Sequence, residues 1–242
     1  MAIAYSSTSA MGQGNATAVN ASMTVGSLTN GYLLVGLVYQ NTTGSPTSLK
    51  WNTTETMTLL AGPYDITGAG AERIFIYGLA NPTAATTNIT CAKSADGIYV
   101  TFWGAAYSGV DQASQPDSTG QNLTAGATTL TVSTTVVAAN SWLFGCYRFY
   151  GSAPTAGTNT VLRGTDTAAS ISDSNSDQAA GSRDQVVNQT GSNGIGGLIV
   201  SFDPVAAAGP ANLKSLDTNT KSNIKSYNTN LIANVKSINT NV

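Results

Sequence analysis

Histidine is absent from the 242 residues, which removes the commonest metal ligand and the commonest general base together. Charge is scarce as well. Asp, Glu, Lys and Arg make up 9% of the chain against a usual quarter, so folding must rest on backbone pairing and close packing of small residues. With only ten basic residues, the chain lacks the dense basic surface that a nucleic-acid partner would need. No apolar run is long enough for membrane insertion, and the start, MAIAYSSTSAMGQG, has no basic n-region, so no classical signal peptide is expected.

Catalytic machinery is equally thin. Glu55 and Glu72 are the only glutamates, and the scattered aspartates form no paired motif of the kind glycoside hydrolysis uses. No zinc cluster, phosphate loop or nucleophile elbow can be read. The expectation is a protein that is not an enzyme, with no catalytic residues, no cofactor and no metal centre. The stretch DSNSD at 173–177 could offer oxygens to calcium, but it lacks the Gly and the closing Glu of the common loop, and a solvated loop is the plainer reading.

Cys91 and Cys146 are the only cysteines, in the strand-like stretches ITCAKS and FGCYRF. Each can serve as a small buried hydrophobe. The alternative is a disulfide between them, which would close a long loop.

What is abundant is the signature of β structure. Apolar and β-branched runs recur between Gly, Asn and Pro clusters, predicting strands at 2–9, 16–25, 31–40, 47–51, 56–60, 72–79, 86–93, 97–108, 128–137, 141–150, 159–163, 168–172, 184–189 and 195–202. This pattern predicts an all-β fold, an antiparallel two-sheet sandwich of jelly-roll-like type over residues 1–209. Asp96-Gly97 between ITCAKS and IYVTFW reads as a hairpin turn, which would set Cys91 and Ile89 against Val100. Alternation puts Trp142, Phe144 and Cys146 on one face and Tyr147 and Phe149 on the other, as in a strand covered on both sides. Residues 113–127 read as a loop and 164–194 as a polar, projecting lobe. Asn-X-Ser/Thr triplets at Asn15, Asn20, Asn41, Asn52, Asn88, Asn122 and Asn188 are what a chain this rich in Asn, Ser and Thr produces by composition.

Residues 210–242 are different in kind. From Asn212 the chain repeats every eleven residues, with units opening at Asn212, Asn223 and Asn234. Lys214, Lys225 and Lys236 recur in one column, and Leu213, Leu216, Ile224, Tyr227, Leu231, Val235, Ile238 and Val242 form an apolar seam. Spacings of three, four and four keep such a seam on one side of an α-helix. The Asn-, Ser- and Thr-rich background disfavours an isolated helix, so short β pieces joined by Asx turns are the competing form. Charge divides the same way: residues 1–211 hold six basic against eleven acidic residues, a net of −5, while the extension holds four lysines against Asp217, a net of +3. An assembly tail is the reading that uses both features.

The run Ser108, Gly109, Val110, Asp111, Gln112, with TNGYLLVGLVYQ and RIFIYGLANPTAATTNIT upstream, resembles a widespread family of β-sandwich modules carrying an SGVDQ element. Such modules look like those of bacteriophage and extracellular structural proteins. The resemblance implies no catalytic role for the element. Physically, Gly109 can permit a bend while Asp111 and Gln112 bond to turn amides, so a structural turn is expected there. The extension is similar to C-terminal repeats with an Ile-Lys-x-x-Asn-Gly unit in phage and virion-like proteins, with Thr218, Thr229 and Thr240 in place of the glycine. Together these features suggest a structural virion protein or surface-assembly subunit, a homo-oligomer or a partner of other virion or surface proteins. The alternative is an adhesion or carbohydrate-binding module whose glycan contacts lie in the loops near 109–126 and 164–194.

Overall fold

The computed structural model describes residues 1–206 apart from 42–43, 67–71, 95–96, 152 and the side chain of Ser192. The repetitive extension forms a separate unit, Ala207–Val242, so the assembly seam, the tail lysines and the choice between helix and strand lie outside the described residues. Asp96 of the Asp96-Gly97 turn lies outside them too.

The body, Met1–Ala206, is all-β and antiparallel. Its first half contains β1 (Ala4–Thr8), β2 (Gly12–Gly14), β3 (Ala18–Val25), β4 (Tyr32–Tyr39), β5 (Ser48–Trp51), β6 (Glu55–Thr56), β7 (Thr58–Ile66), β8 (Glu72–Ala80), β9 (Ala85–Ala92) and β10 (Val100–Ser108). These strands build two sheets. A four-stranded outer sheet has the order β3-β9-β5-β6, and a central sheet the order β1-β10-β4-β8-β7, with β2 also paired to β10.

The second half contributes β11 (Ser118–Val136), β12 (Trp142–Phe149), β13 (Thr155–Ala156), β14 (Val161–Thr165), β15 (Ala169–Asp173) and β16 (Gly181–Phe202). They form a third sheet, ordered β11-β16-β12-β15-β14, with β13 on β16. The expected all-β, antiparallel sandwich is what the body shows, built from three sheets. Two sheets account for residues 4–108, and the strands of the second half, most of them expected from the sequence, form a third sheet.

The central sheet explains the most apolar run in the chain. Every residue of β4, YLLVGLVY, is buried. Leu33, Val35, Leu37 and Tyr39 face the outer sheet in a core with Met23, Trp51, Ile89 and Cys91. Leu34 and Val38 face the third sheet in a second core with Trp103, Phe144, Cys146 and Val200. A strand buried on both faces needs a continuous apolar run, not alternation. Gly36 keeps the layers close, since a Cβ there would stand 2.8 Å from Cys146 Cβ.

β11 and β16 form a long two-stranded ribbon that folds back on itself. Ser118 to Thr124 pair with Ile195 to Ser201, and Thr129 to Val136 pair with Gly181 to Asn188, with shifts in register between. At the bend Gly126 and Gly191 take φ of 103° and 94°, and buried Gln189 donates to the carbonyls of Ala127 (3.0 Å) and Asn193 (2.6 Å). The returning half lies on the outgoing one: Asn122 Nδ2 donates to Thr131 O at 2.8 Å, and a Cβ on Gly120 would meet Ser133 O at 2.0 Å. Between the halves sits a third core of Leu130, Val132, Tyr147, Phe149, Val187, Ile195 and Ile199. The loop expected at 113–127 is thus largely strand, and the lobe expected at 164–194 does not project. From Gly181 onward it is part of β16, in the ribbon.

The Asp96-Gly97 hairpin is also corrected. β9 pairs with β3 and β5, whereas β10 pairs with β1, β2 and β4, so the connection crosses between sheets. Cys91 and Val100 do share a core, but face to face across the sandwich.

Candidate functional site

The SGVDQ element lies where the first half of the body hands over to the second, and it closes onto the last described segment before the repetitive extension. β10 ends at Ser108, and the next residue, Gly109, has φ of 76°. Its Cα lies so near the N-terminal segment that a Cβ would stand 2.2 Å from Ala2 O. Only glycine meets both conditions without strain.

From that bend the backbone pairs in two directions. Gly109 N–H donates to Thr29 O at 2.9 Å and Val110 N–H to Asn30 O at 3.1 Å, tying the element to the turn before β4. On its other side Asp111 N–H donates to Asp203 O at 2.8 Å, Val205 N–H donates to Gly109 O at 2.9 Å, and Val110 bridges Pro204. The Met1 amino group donates to Val205 O at 2.9 Å.

Side chains complete the corner as the sequence suggests for Asp111 and Gln112. Asp111 Oδ1 accepts from Ala113 N–H at 3.2 Å, an Asx turn. Gln112 Nε2 donates to Val110 O at 2.7 Å, while its Oε1 accepts from Asn81 N–H at 3.0 Å. Gln115 had no such signal, yet it clasps the exit strand. Its Nε2 donates to Asp111 O (3.3 Å) and Asp203 O (3.5 Å), and its Oε1 accepts from Asp203 N–H (3.1 Å).

Three carboxylates collect here. Ser141 Oγ donates to Asp203 Oδ1 at 2.6 Å, and Asp117 Oδ2 accepts from Ser201 Oγ at 2.9 Å and Val137 N–H at 2.7 Å. Burial raises the Asp203 carboxyl above its ordinary value, and the charges of Asp117 and Asp111 push the same way against the Ser141 hydrogen bond. The Asp oxygens named here are already used by neighbouring donors. Among the described residues no group of three or more His, Cys, Asp or Glu side chains is placed to hold a metal ion.

The DSNSD stretch is likewise absorbed by the fold. Asp173 is fully buried, with Oδ2 accepting from Arg163 Nε at 2.7 Å and from Tyr107 OH at 3.0 Å. Arg163 also lies over the Tyr5 ring at 3.8 Å, and Asp177 Oδ1 accepts from Trp142 Nε1 at 3.1 Å. Tyr107 belongs to the first half and Asp173 to the second. A second tie joins the halves where Arg148 Nε donates to buried Glu72 at 2.6 Å.

Cys91 and Cys146 are free thiols, which corrects the disulfide alternative. One sits on β9 in the outer core and the other on β12 in the second core, with the central sheet between them. Stacked sheets lie about 10 Å apart, so two spacings separate the cysteines where a disulfide tolerates about 7 Å between Cα atoms. Desolvation pushes the Cys91 thiol up to about 12 and the Cys146 thiol higher still, so neither forms a reactive thiolate.

The corner therefore ties the body's two halves to each other and to the segment at 203–205. Its chemistry is that of a clasp. No protein family, curated protein or solved structure matches this chain.

Proposed function

We propose that the protein is a structural subunit of a virion or related surface assembly, whose β body is joined to other copies or to a partner shell through the repetitive tail. The observation that carries this reading is the SGVDQ clasp. Two backbone hydrogen bonds, Asp111 to Asp203 and Val205 to Gly109, anchor the segment that leads directly into the tail. A pull on that segment is received by the loop after β10 and by the turn before β4, and so reaches the central sheet.

The seam supplies the adhesive. Burying its eight apolar side chains would contribute on the order of 10 kcal/mol before ordering costs, enough to hold a tail in place on a complementary surface. The opposed net charges of body and tail, −5 and +3, favour contact between neighbouring copies.

Removal of residues 212–242 tests the proposal. The truncated body should unfold cooperatively with an unchanged midpoint while its mass in solution falls to that of a monomer. Particles of undiminished mass after the deletion would exclude the tail as the assembling element.

A further inference from the structure

Of the seven prolines only Pro204 follows an aspartate, and the Asp203–Pro204 peptide lies in the clasp, between the end of β16 and residues 207–242. The chemistry of that pair is particular. An aspartyl side chain can close a five-membered ring on its own carbonyl carbon, and a prolyl nitrogen holds no ladder hydrogen bond that must break before it leaves. Such a bond needs three things from a fold: a polarised carbonyl, a carboxyl that keeps its proton, and a leaving segment held in place.

The carbonyl is provided for. Asp203 O, which belongs to the Pro204 peptide, accepts from Asp111 N–H at 2.8 Å and from Gln115 Nε2 at 3.5 Å. Both donors are fixed by the turn after β10: Ala113 N–H donates to Asp111 Oδ1 at 3.2 Å, and Gln115 Oε1 accepts from Asp203 N–H at 3.1 Å. Negative charge arising on that oxygen meets one close donor and one longer one already aimed at it, the arrangement that stabilises a tetrahedral intermediate. Beyond the peptide, Val205 N–H donates to Gly109 O and the Met1 ammonium to Val205 O, each at 2.9 Å, so the leaving side is tethered.

Ser141 shows where the proton sits. Its hydroxyl oxygen lies 2.6 Å from Asp203 Oδ1 and 2.7 Å from Ala138 O. A backbone carbonyl can only accept, and a hydroxyl has one hydrogen to give. Both short contacts are satisfied together when Asp203 carries a proton on Oδ1: the carboxyl donates to Ser141 Oγ, and Ser141 donates to Ala138 O. Burial favours the same protonated form, and so do the facing charges of Asp117 and Asp111 from the segment between β10 and β11. The Met1 ammonium faces the segment through Val205 O, two residues further on.

We propose that Asp203–Pro204 is a self-cleaving peptide bond, through which acidification separates the β body from residues 204–242. Asp203 Oδ2 attacks the Asp203 carbonyl carbon, the bond from that carbon to the Pro204 nitrogen breaks, and the carboxyl proton ends on the departing nitrogen. The body is left with a cyclic anhydride at Asp203. Water opens the ring, restoring the side-chain carboxyl and leaving a second carboxyl as the new C-terminus. The net change is hydrolysis of one peptide bond, with water the only co-reactant. The inference rests on the clasp and not on what residues 207–242 bind, so scission would be seen in a monomer and in an assembly alike.

The test holds the full-length chain folded at about pH 5 and at about pH 8, and unfolded in urea at about pH 5, while intact masses are followed. The expected products are residues 1–203 and 204–242, with masses that sum to the chain plus one water. The folded chain at the lower pH should yield them at least about tenfold faster than the other two samples, because the fold supplies the donors and the lower pH the proton. Asp203→Glu, whose ring would have to be six-membered, and Gln115→Ala should each slow the cut by about tenfold or more, with melting curves showing each variant folded at the test temperature. The proposal is overturned if the folded chain stays whole at the lower pH, if it is cut elsewhere, if the unfolded chain is cut as fast, or if either folded variant is cut like the parent.

Discussion

A Cβ at Gly109 would stand 2.2 Å from the carbonyl oxygen of Ala2, and the same glycine has φ of 76°. The clash is with backbone, which cannot rotate away. Gly109→Ala should therefore cost about 2–4 kcal/mol, combining the left-handed backbone penalty with displacement of the N-terminal segment. Urea unfolding of the two proteins checks it, and a loss below about 0.5 kcal/mol would show that the corner is free to relax.

Arg163→Ala leaves the fully buried Asp173 carboxylate with Tyr107 OH as its remaining side-chain donor. Breaking one side of a buried pair costs about 3–5 kcal/mol, and Arg163→Ala with Asp173→Asn should recover a large part of it. The deficit also has a pH signature. Desolvation already raises the folded Asp173 carboxyl above its ordinary value, and losing Arg163 raises it further. A raised carboxyl destabilises the fold above its folded-state value and ceases to do so once both states are protonated. The single variant's deficit should thus shrink as pH falls toward the ordinary value of 3.8, and a deficit constant between pH 7 and pH 4 would contradict it.

Both thiols should resist modification in the native protein. Cys91 is 0% exposed and Cys146 1%. Reaction with a disulfide reagent should run about a thousandfold slower than in urea, where both react. Reductant should leave the melting temperature unchanged. A shift on reduction, or an intact mass short by two hydrogens, would restore the disulfide.

The most apolar strands of both halves could be read from sequence because their side chains state their surroundings. YLLVGLVY is apolar throughout since both faces of β4 are covered, and Trp142, Phe144 and Cys146 separate from Tyr147 and Phe149 because β12 divides two cores. Turn chemistry is more local. Asp96-Gly97 carries a hairpin signal that holds no information about which sheet the next strand joins. The ribbon was hidden for a different reason: STGQNLTAG reads as a loop because its exposed side chains need no apolar alternation, and the bend rests on Gly126, Gly191 and Gln189, residue types common in loops.

The clasp divides similarly. Gly109, Asp111 and Gln112 were legible because short-range bonds and a required bend constrain their types. Gln115 was not, since its partner Asp203 lies 88 residues away and any residue supplies a backbone amide and carbonyl. A small cleft between the central and third sheets was the least visible feature of all: its lining comes from five separate stretches of chain, around Gln13, Gln40, Tyr99, Arg148 and Asp166.

The division of the body into residues 4–108 and 118–202 fixes an order of events during synthesis. The outer and central sheets contain no strand from beyond Ser108, so they can close while the second half is still being made. Until β12, β15 and β16 arrive, one face of the central sheet, with Leu34, Val38, Ile74, Ile76 and Trp103, has no cover. Such a patch is adhesive to other unfinished chains. β16 completes that cover and precedes residues 207–242, so the face is closed before synthesis of the repetitive extension ends. Ribosome-stalled products ending before residue 181 are thus the species in which misassembly would concentrate.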